Sequence, residues 1–200
     1  MLILGTMPGP EALRRRQYYG FPGNHFWPVI QILFGDDRGG TIHAAEEMPR
    51  RRRDAARLLS YPEKLRLLKT NQIALWDVIA SCQRTGASDS AITRVTPNRI
   101  PELLKRYPNI RVIFVNGKTA ERLFRLYFGK EIKRPVRYLP STSPAHAAMS
   151  FQEKLKRWRV VRERSGQLFP GEADAEGAEQ ERGRPGGQER RKQTPFAERE

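Results

Sequence analysis

The chain has 200 residues, of which 37 are Lys or Arg and 22 are Asp or Glu, so its formal net charge is +15 and its pI is about 10.6. This balance indicates a polyanionic partner, but 38% hydrophobic and 9% aromatic residues exclude a wholly disordered basic chain. We expect one domain. The single cysteine excludes an internal disulfide and fits a reducing cytoplasm, and no apolar run approaches the roughly 18–20 residues of a membrane span.

Four short apolar runs predict strands over residues 2–5, 73–79, 110–116 and 136–139. Apolar residues spaced three or four apart predict helices over residues 25–34, 52–59, 62–69, 100–107, 119–128 and 151–162. Near-continuous apolar strands that alternate with helices predict a parallel sheet covered on both faces.

The composition changes at residue 166. Residues 166–200 are rich in Gly and charge and poor in large apolar side chains, which predicts a disordered tail. The tail holds eight acidic and six basic residues, so the predicted folded domain, residues 1–165, carries +17. Because the first strand begins at residue 2, we also expect that a segment that would normally flank it is missing and that the stability is low.

Ligands of open α/β sheets bind beyond the carboxyl ends of the strands. The segments that follow the four predicted strands there are residues 6–9, 80–84, 117–119 and 140–146. Two of them are rich in Gly, Pro and small hydroxyl residues, a composition that lets backbone N–H groups approach a phosphate or a base edge. The sequence therefore predicts a ligand site at this edge.

Five segments stand out in chain order: GTMPG, YYGFPGNHFW, LWDVIASC, FVNGK and LPSTSPAHA. Together they resemble the uracil-DNA glycosylase superfamily, and within it the hypoxanthine-DNA (deoxyinosine) glycosylase branch. The resemblance implies a three-layer αβα sandwich around a four-stranded, mainly parallel sheet. It also implies a monomeric, cytoplasmic DNA-repair hydrolase that flips a deaminated base (hypoxanthine first, then uracil or xanthine) out of DNA and cleaves its N-glycosidic bond.

Such an enzyme needs no metal, no cofactor and no membrane. A lyase step is not expected either, because it requires a positioned amine and Lys118 is the only lysine beside a motif.

The resemblance assigns catalysis to Asn24, with Thr6 at the position where relatives with a GxNPG-like motif carry a water-positioning Asn or Asp. An amide can accept a hydrogen bond from water and donate one to a base, although it is a feeble general base. Asn24 also suits a cap for the helix predicted to begin at His25. Catalysis and capping both stay open for this residue.

Tyr19 matches the aromatic residue that stacks on the flipped base in similar enzymes, and Phe21 and Tyr18 compete for that role. Ordinary packing is the alternative for each of the three. Asp77 stands where uracil-specific relatives carry an Asn, and a carboxylate accepts from a base N–H instead of donating to a carbonyl. Its alternative is a structural Asp bonded to backbone N–H groups. Met7 is assigned to the same pocket.

The loop at residues 140–146 matches the superfamily motif that presses into the minor groove beside the extruded nucleotide. Ser141 replaces the catalytic His of uracil-specific members, and His146 can substitute for it only in part. Asn116 is a weaker candidate for reading the base, and the interpretation as a turn residue is preferred for it. The predicted DNA contacts are Pro8, Gly9, Lys118, Ser141, Ser143, Pro144, Ala145 and His146.

Two arginine clusters lie outside these motifs. The cluster at residues 14–16 lies between two site segments and is predicted to contact DNA. For the run at residues 50–53, a solvated basic face is preferred. Two other functions stay open: a mismatch-specific uracil/thymine-DNA glycosylase, and a nucleic-acid-binding protein without catalysis.

Overall fold

Six strands and six helices are formed by the residues that the computed structural model describes, which are 1–35, 59–86 and 91–168. Met1–Leu168 form one compact unit. The arginine run at 50–53, most of the helix predicted over 52–59 and the tail from residue 169 lie outside the described residues. The strands are β1 (Leu2–Gly5), β2 (Ala74–Asp77), β3 (Ile79–Arg84), β4 (Ile92–Pro97), β5 (Ile113–Asn116) and β6 (Val136–Leu139). The helices are α1 (Pro10–Arg15), α2 (Phe26–Phe34), α3 (Tyr61–Thr70), α4 (Ile100–Arg106), α5 (Lys118–Phe128) and α6 (Phe151–Leu168).

The main sheet has four strands in the order β2-β1-β5-β6, and every neighbouring pair is parallel. The chain runs from β1 to β2 on one side and then crosses to β5 on the other, so the order reverses between β1 and β5. Crevices form at such a reversal, outside the carboxyl ends of the strands. The predicted fold class is confirmed.

Alternate residues of the strands fill two separate cores, as the pleat requires. On one face, Ile3 and Phe114 pack with residues of α2, α3 and α6. On the other face, Leu4 and Val115 pack with residues of α4 and α5. The sheet is therefore the middle layer of three.

A two-stranded antiparallel sheet formed by β3 and β4 was not predicted. The expected strand over 73–79 ends at Asp77, and the expected loop over 80–84 is strand β3. The N–H groups of Val78 and Ile79 still bond to the carbonyls of Gly5 and Thr6 at 2.9 and 3.0 Å, so the chain stays beside the end of β1 as it passes from β2 into β3. The short helix α1 was also not predicted, and the third strand begins at residue 113 instead of 110.

The other predicted helices within the described ranges lie within one or two residues of the observed bounds, except that α6 continues to Leu168. None of the helices in these ranges is long and apolar enough to cross a bilayer.

Candidate active site

The carboxyl ends of three neighbouring strands bring polar groups to one face of the sheet. Ile3 and Phe114 face the core with α2 and α6, so Gly5 and Asn116, two residues further on, face the same side. Asp77 is the register partner of Gly5 on β2. Its carboxylate lies directly over that glycine, since a β-carbon on Gly5 would be 2.5 Å from Asp77 Oδ1. The absence of a side chain at Gly5 therefore makes room for the carboxylate.

Tyr19 covers this edge of the sheet. Its ring stacks on the ring of Phe26, with centroids 3.9 Å apart and planes 13° apart. Its hydroxyl lies 3.1 Å from the β-carbon position of Gly5, close to Asp77. The backbone of Tyr19 has φ of +53°, a left-handed conformation that bulky side chains rarely adopt and that clusters at functional sites. One ring face is thus fixed on Phe26.

A buried pair, Asn116 and Thr142, connects Tyr19 to the loop after β6. Asn116 Nδ2 donates to Thr142 Oγ1 at 2.9 Å and to the Tyr19 hydroxyl at 3.2 Å, and its Oδ1 accepts from the Thr142 N–H at 3.1 Å. Thr142 is fully buried, and its carbonyl accepts from the His25 N–H at 2.9 Å. The pair therefore joins β5, the Tyr19 segment, the loop and the start of α2.

Sequence reasoning underrated this pair. Asn116 was expected to be a turn residue, and Thr142 was not singled out within its loop. An Asn at the end of an otherwise apolar strand was the available signal, because buried polar side chains are nearly always hydrogen-bonded.

Asn24 lies immediately before His25, the cap residue of α2, so the helix begins at Phe26 and not at the expected His25. Asn24 Oδ1 accepts from the Phe26 N–H at 2.9 Å, an Asx turn at the helix start. Its backbone N–H donates to the Phe21 carbonyl at 2.9 Å. Among the described residues, none accepts a hydrogen bond from its Nδ2 group. Phe26 therefore anchors both Asn24 and Tyr19.

Thr6 and Met7 follow β1, and β3 holds the backbone of their segment in place. Thr6 is buried, with 7% of its surface exposed. Cys82 of β3 places its sulfur 3.0 Å from Met7 Sδ, and the Arg84 guanidinium donates to the Pro8 carbonyl at 2.9 Å. The unpredicted hairpin thus supports the first site loop.

The loop after β6 is built from nested turns. Ser141 Oγ accepts from the Ser143 N–H at 3.2 Å, Ser143 Oγ accepts from the Ala145 N–H at 3.3 Å, and the His146 N–H donates to the Ser143 carbonyl at 3.1 Å. Opposite the loop, Gly117 has φ of +101°, and a β-carbon there would lie 3.0 Å from Ser141 Cβ. This close approach requires glycine.

Three predicted contact residues are exposed around this edge. Pro144 and Ala145 protrude from the loop, and Lys118 begins α5. These positions leave the three side chains accessible to a large ligand.

The remaining candidates lie on the segment between β1 and α2. Gly9 is the cap residue of α1. Phe21 lies on the turn before Asn24 and is 49% exposed. Within α1, Arg14 and Arg15 both donate to Glu11, and these bonds lower the Glu11 pKa to about 2. Two of the three arginines in this cluster are thus partly neutralised by their own helix.

Tyr18, which competes with Tyr19, is held by its backbone. Its N–H donates to the Tyr61 hydroxyl at 3.1 Å, and its carbonyl accepts from Trp27 Nε1 at 2.8 Å. Burial raises the pKa of the Tyr18 phenol, and the charge of Asp77 raises it further. Tyr18 thus keeps its proton and lies near the same carboxylate.

Within residues 1–35, 59–86 and 91–168, no group of three or more His, Cys, Asp or Glu side chains is arranged to hold a metal ion. The arrangement instead offers a half-buried aromatic ring, a carboxylate and an accessible amide at the reversal point of a parallel sheet. These features define an α/β protein with a candidate ligand site at the carboxyl edge of its sheet.

Comparison with known proteins identifies the family. The family model for the uracil DNA glycosylase superfamily matches residues 1–162. The chain belongs to this superfamily, so the predicted resemblance is confirmed.

Similar proteins come from two Methanosarcina species. A "Hypoxanthine DNA glycosylase" of Methanosarcina acetivorans is 33% identical over 161 residues, which cover 80% of this chain and 89% of the relative. One of the same name from Methanosarcina barkeri is 33% identical over 120 residues, covering 60% of this chain and 65% of the relative. The solution NMR structure of a candidate uracil DNA glycosylase from M. acetivorans has a TM-score of 0.58 and 32% identity, covering 80% of this chain and 89% of that chain.

Proposed function

We propose that the protein is a monofunctional DNA glycosylase that removes deaminated bases, hypoxanthine first, by hydrolysing the N-glycosidic bond. The observation that carries the proposal is the shared anchor at Phe26. The Tyr19 ring stacks on the Phe26 ring, and Asn24 Oδ1 accepts from the Phe26 N–H. A stacking surface and an amide thus lie at the same helix start. The names of the two Methanosarcina relatives support hypoxanthine as the base.

The reaction breaks the bond between the anomeric carbon C1′ and the base nitrogen. The oxygen of water bonds to C1′, and the base leaves with the bonding electron pair and takes up a proton. In the transition state the sugar is cationic and the base anionic, so groups that orient water and hold the base accelerate departure. The target nucleotide has to leave the duplex before any such group can reach it.

Asn24 is proposed to supply the amide that orients the attacking water. Its Oδ1 has two lone pairs, and the Phe26 N–H occupies one of them. The other lone pair can accept from the attacking water, while the Nδ2 group can donate to the nucleotide. An amide does not take up the proton of water, so Asn24 orients the nucleophile and the proton is lost after C1′ has become cationic.

Tyr19 and Asp77 are proposed to hold the base. Stacking on an aromatic ring contributes about 1–3 kcal/mol per base and tolerates different bases. Selectivity therefore has to come from the base edge. A carboxylate at Asp77, 6% exposed, accepts from a ring N–H, a group present in hypoxanthine and absent from adenine. This contact favours the deaminated base.

The test is release of hypoxanthine and of uracil from otherwise identical duplexes by the wild-type protein and by Asn24→Ala and Asn24→Ser. The Ser variant retains a side chain that can cap a helix but has no amide. We expect wild-type release of hypoxanthine and at least a hundred-fold lower single-turnover rate for both variants.

The matched control is Asn71→Ala, which removes an amide that donates to the Leu67 carbonyl at the end of α3. This variant should lose some stability and keep the wild-type rate. If Asn24→Ser released hypoxanthine at the wild-type rate, the role of Asn24 would be limited to stabilising the start of α2. Duplex binding without release of either base would replace the enzyme with a binding protein.

A further inference from the structure

We propose that Phe21 is the wedge that enters the base stack when the target nucleotide leaves it, and does not stack on the base in the pocket. The inference rests on the proposed function. Extrusion leaves a gap in the duplex, and proteins that distort DNA insert apolar side chains between base steps to fill such gaps. Tyr19, the other aromatic candidate on this segment, has its ring stacked on Phe26, whereas Phe21 is exposed.

The exposure of Phe21 is the first observation. Six large hydrophobic residues in the described ranges are exposed, and Phe21 is the one on the turn that carries Asn24. The six are Leu13, Phe21, Leu65, Leu126, Tyr127 and Val136. Phe21 has 49% of its surface exposed, which is unfavourable in water and becomes favourable when a partner covers the ring.

The turn also fixes the position of the ring. The Phe21 carbonyl accepts from the Asn24 N–H at 2.9 Å. The ring lies across Gly23, where a β-carbon would be 2.6 Å from Phe21 Cε1. The residue between them is Pro22, which restricts the backbone further. Phe21 is therefore a preorganised apolar projection next to the proposed catalytic amide.

The loop after β6 offers no side chain of this size at its exposed tip. The exposed residues of this loop are Pro144, Ala145, Ala147, Ala148 and Ser150, and none of them has an aromatic or a long aliphatic side chain. This loop is joined to the Phe21 turn through the hydrogen bond from the His25 N–H to the Thr142 carbonyl. The loop after β6 and the Phe21 turn thus border one site. The large exposed apolar side chain at this site is on the Phe21 turn.

The experiment compares single-stranded and duplex oligonucleotides that carry the same deoxyinosine. The variants are Phe21→Ala and Phe21→Leu. The control is Leu126→Ala, which removes an exposed leucine in the last turn of α5. Excision rates under single-turnover conditions give a duplex-to-single-strand ratio for each protein. A 2-aminopurine next to the deoxyinosine reports unstacking of the duplex by its fluorescence.

We expect Phe21→Ala to lower the ratio about ten-fold to a hundred-fold, the range for losing one base–aromatic stacking contact, and to reduce the 2-aminopurine signal. Phe21→Leu should retain most of the wild-type ratio and of the 2-aminopurine signal. Leu126→Ala should leave the ratio and the signal unchanged. Equal losses on both substrates, or no loss on either, would overturn the wedge.

Failure of the proposed function gives a different pattern. A wild-type protein that releases no base refutes the glycosylase, and the fluorescence then decides about Phe21 alone. If the wild type raises the 2-aminopurine fluorescence and Phe21→Ala does not, Phe21 is a wedge in a binding protein. If the fluorescence is the same with both proteins, or neither protein changes it, the wedge role of Phe21 is rejected.

Discussion

Replacement of Asn116 by alanine tests whether the buried pair with Thr142 organises the site. The side chain makes three hydrogen bonds, two to Thr142 and one to the Tyr19 hydroxyl. Thr142 has no exposed surface, so water cannot replace the lost partner without opening the loop. The Tyr19 hydroxyl is in a partly buried residue and can recover a bond to water.

The expected cost follows from these contacts. A hydrogen bond contributes about 0.5–1.5 kcal/mol net, and a buried group left without a partner costs about 1–3 kcal/mol. Asn116→Ala leaves both the N–H and the Oγ1 of Thr142 without this hydrogen-bond partner, so we expect a loss of about 2–4 kcal/mol in the free energy of unfolding. A domain of this size has about 5–15 kcal/mol in total, so the variant should fold.

Urea denaturation followed by circular dichroism measures the loss, and base release measures the effect on the site. Tyr19→Phe is the matched control, because it removes one of the three bonds and keeps the ring on Phe26. It should cost about 1 kcal/mol or less. Asn116→Ala should also lower kcat/KM about ten-fold to a hundred-fold, since small displacements of positioned groups are costly. A stability loss below about 1 kcal/mol with unchanged release would refute the organising role.

Three further predictions concern the neighbouring elements. Gly117→Ala should lower the free energy of unfolding by about 1–3 kcal/mol, because φ of Gly117 is +101° and its β-carbon would meet Ser141. Gly9→Ala is the control, since nothing lies within 4 Å of its β-carbon and its φ is −74°. In the same urea titration, Gly9→Ala should leave the stability nearly unchanged. Asp77→Asn should shift the ratio of hypoxanthine to uracil release toward uracil, and an unchanged ratio would remove Asp77 from base recognition. Hydrogen bonds at the start of α3 lower the Glu63 pKa, so their contribution is present above about pH 4.3 and is lost as the pH falls through the lowered value. Melting temperatures of wild type and Glu63→Gln should therefore differ at pH 7 and converge in acid, and a constant difference would contradict this.

The two central strands of the main sheet, β1 and β5, could be predicted from the sequence because they are buried on both faces. β1 and β6 have the predicted bounds, 2–5 and 136–139. Every residue of β1 is buried, so an apolar run between turn residues was a sufficient signal. The same reasoning predicts where the candidate site lies, because the carboxyl ends of parallel strands meet at one edge of the sheet.

The hairpin could not be predicted in the same way. β3 and β4 are mostly exposed or half-buried, so their sequences carry no continuous apolar run. The antiparallel register also shifts between Ile79 and Ser81 and again before Gln83, and such irregularities break the period of two that identifies a strand. Because the hairpin was not predicted, the hydrogen bond from Arg84 to the Pro8 carbonyl could not be predicted either.

The role of Asn116 was missed for a different reason. Its partners lie 26 and 97 residues away in sequence, at Thr142 and Tyr19. A turn assignment uses only neighbouring residues, whereas this hydrogen-bonding pattern exists only after the sheet has formed. Distant partners of this kind are accessible from sequence only through the rule that a buried amide must be bonded.

The two interpretations of Asn24, catalysis and capping, do not exclude each other. The hydrogen bond from the Phe26 N–H engages one lone pair of Oδ1 and leaves the second lone pair and the Nδ2 group available. A weak base such as an amide acts mainly by orienting water, and orientation requires that the side chain itself be held. The Asx turn provides this restraint at the residue on which Tyr19 stacks. In the proposed function, the Asx turn at the helix start is therefore the means by which the amide is positioned, and Asn24→Ser separates the two roles because serine keeps a turn-forming oxygen without the amide.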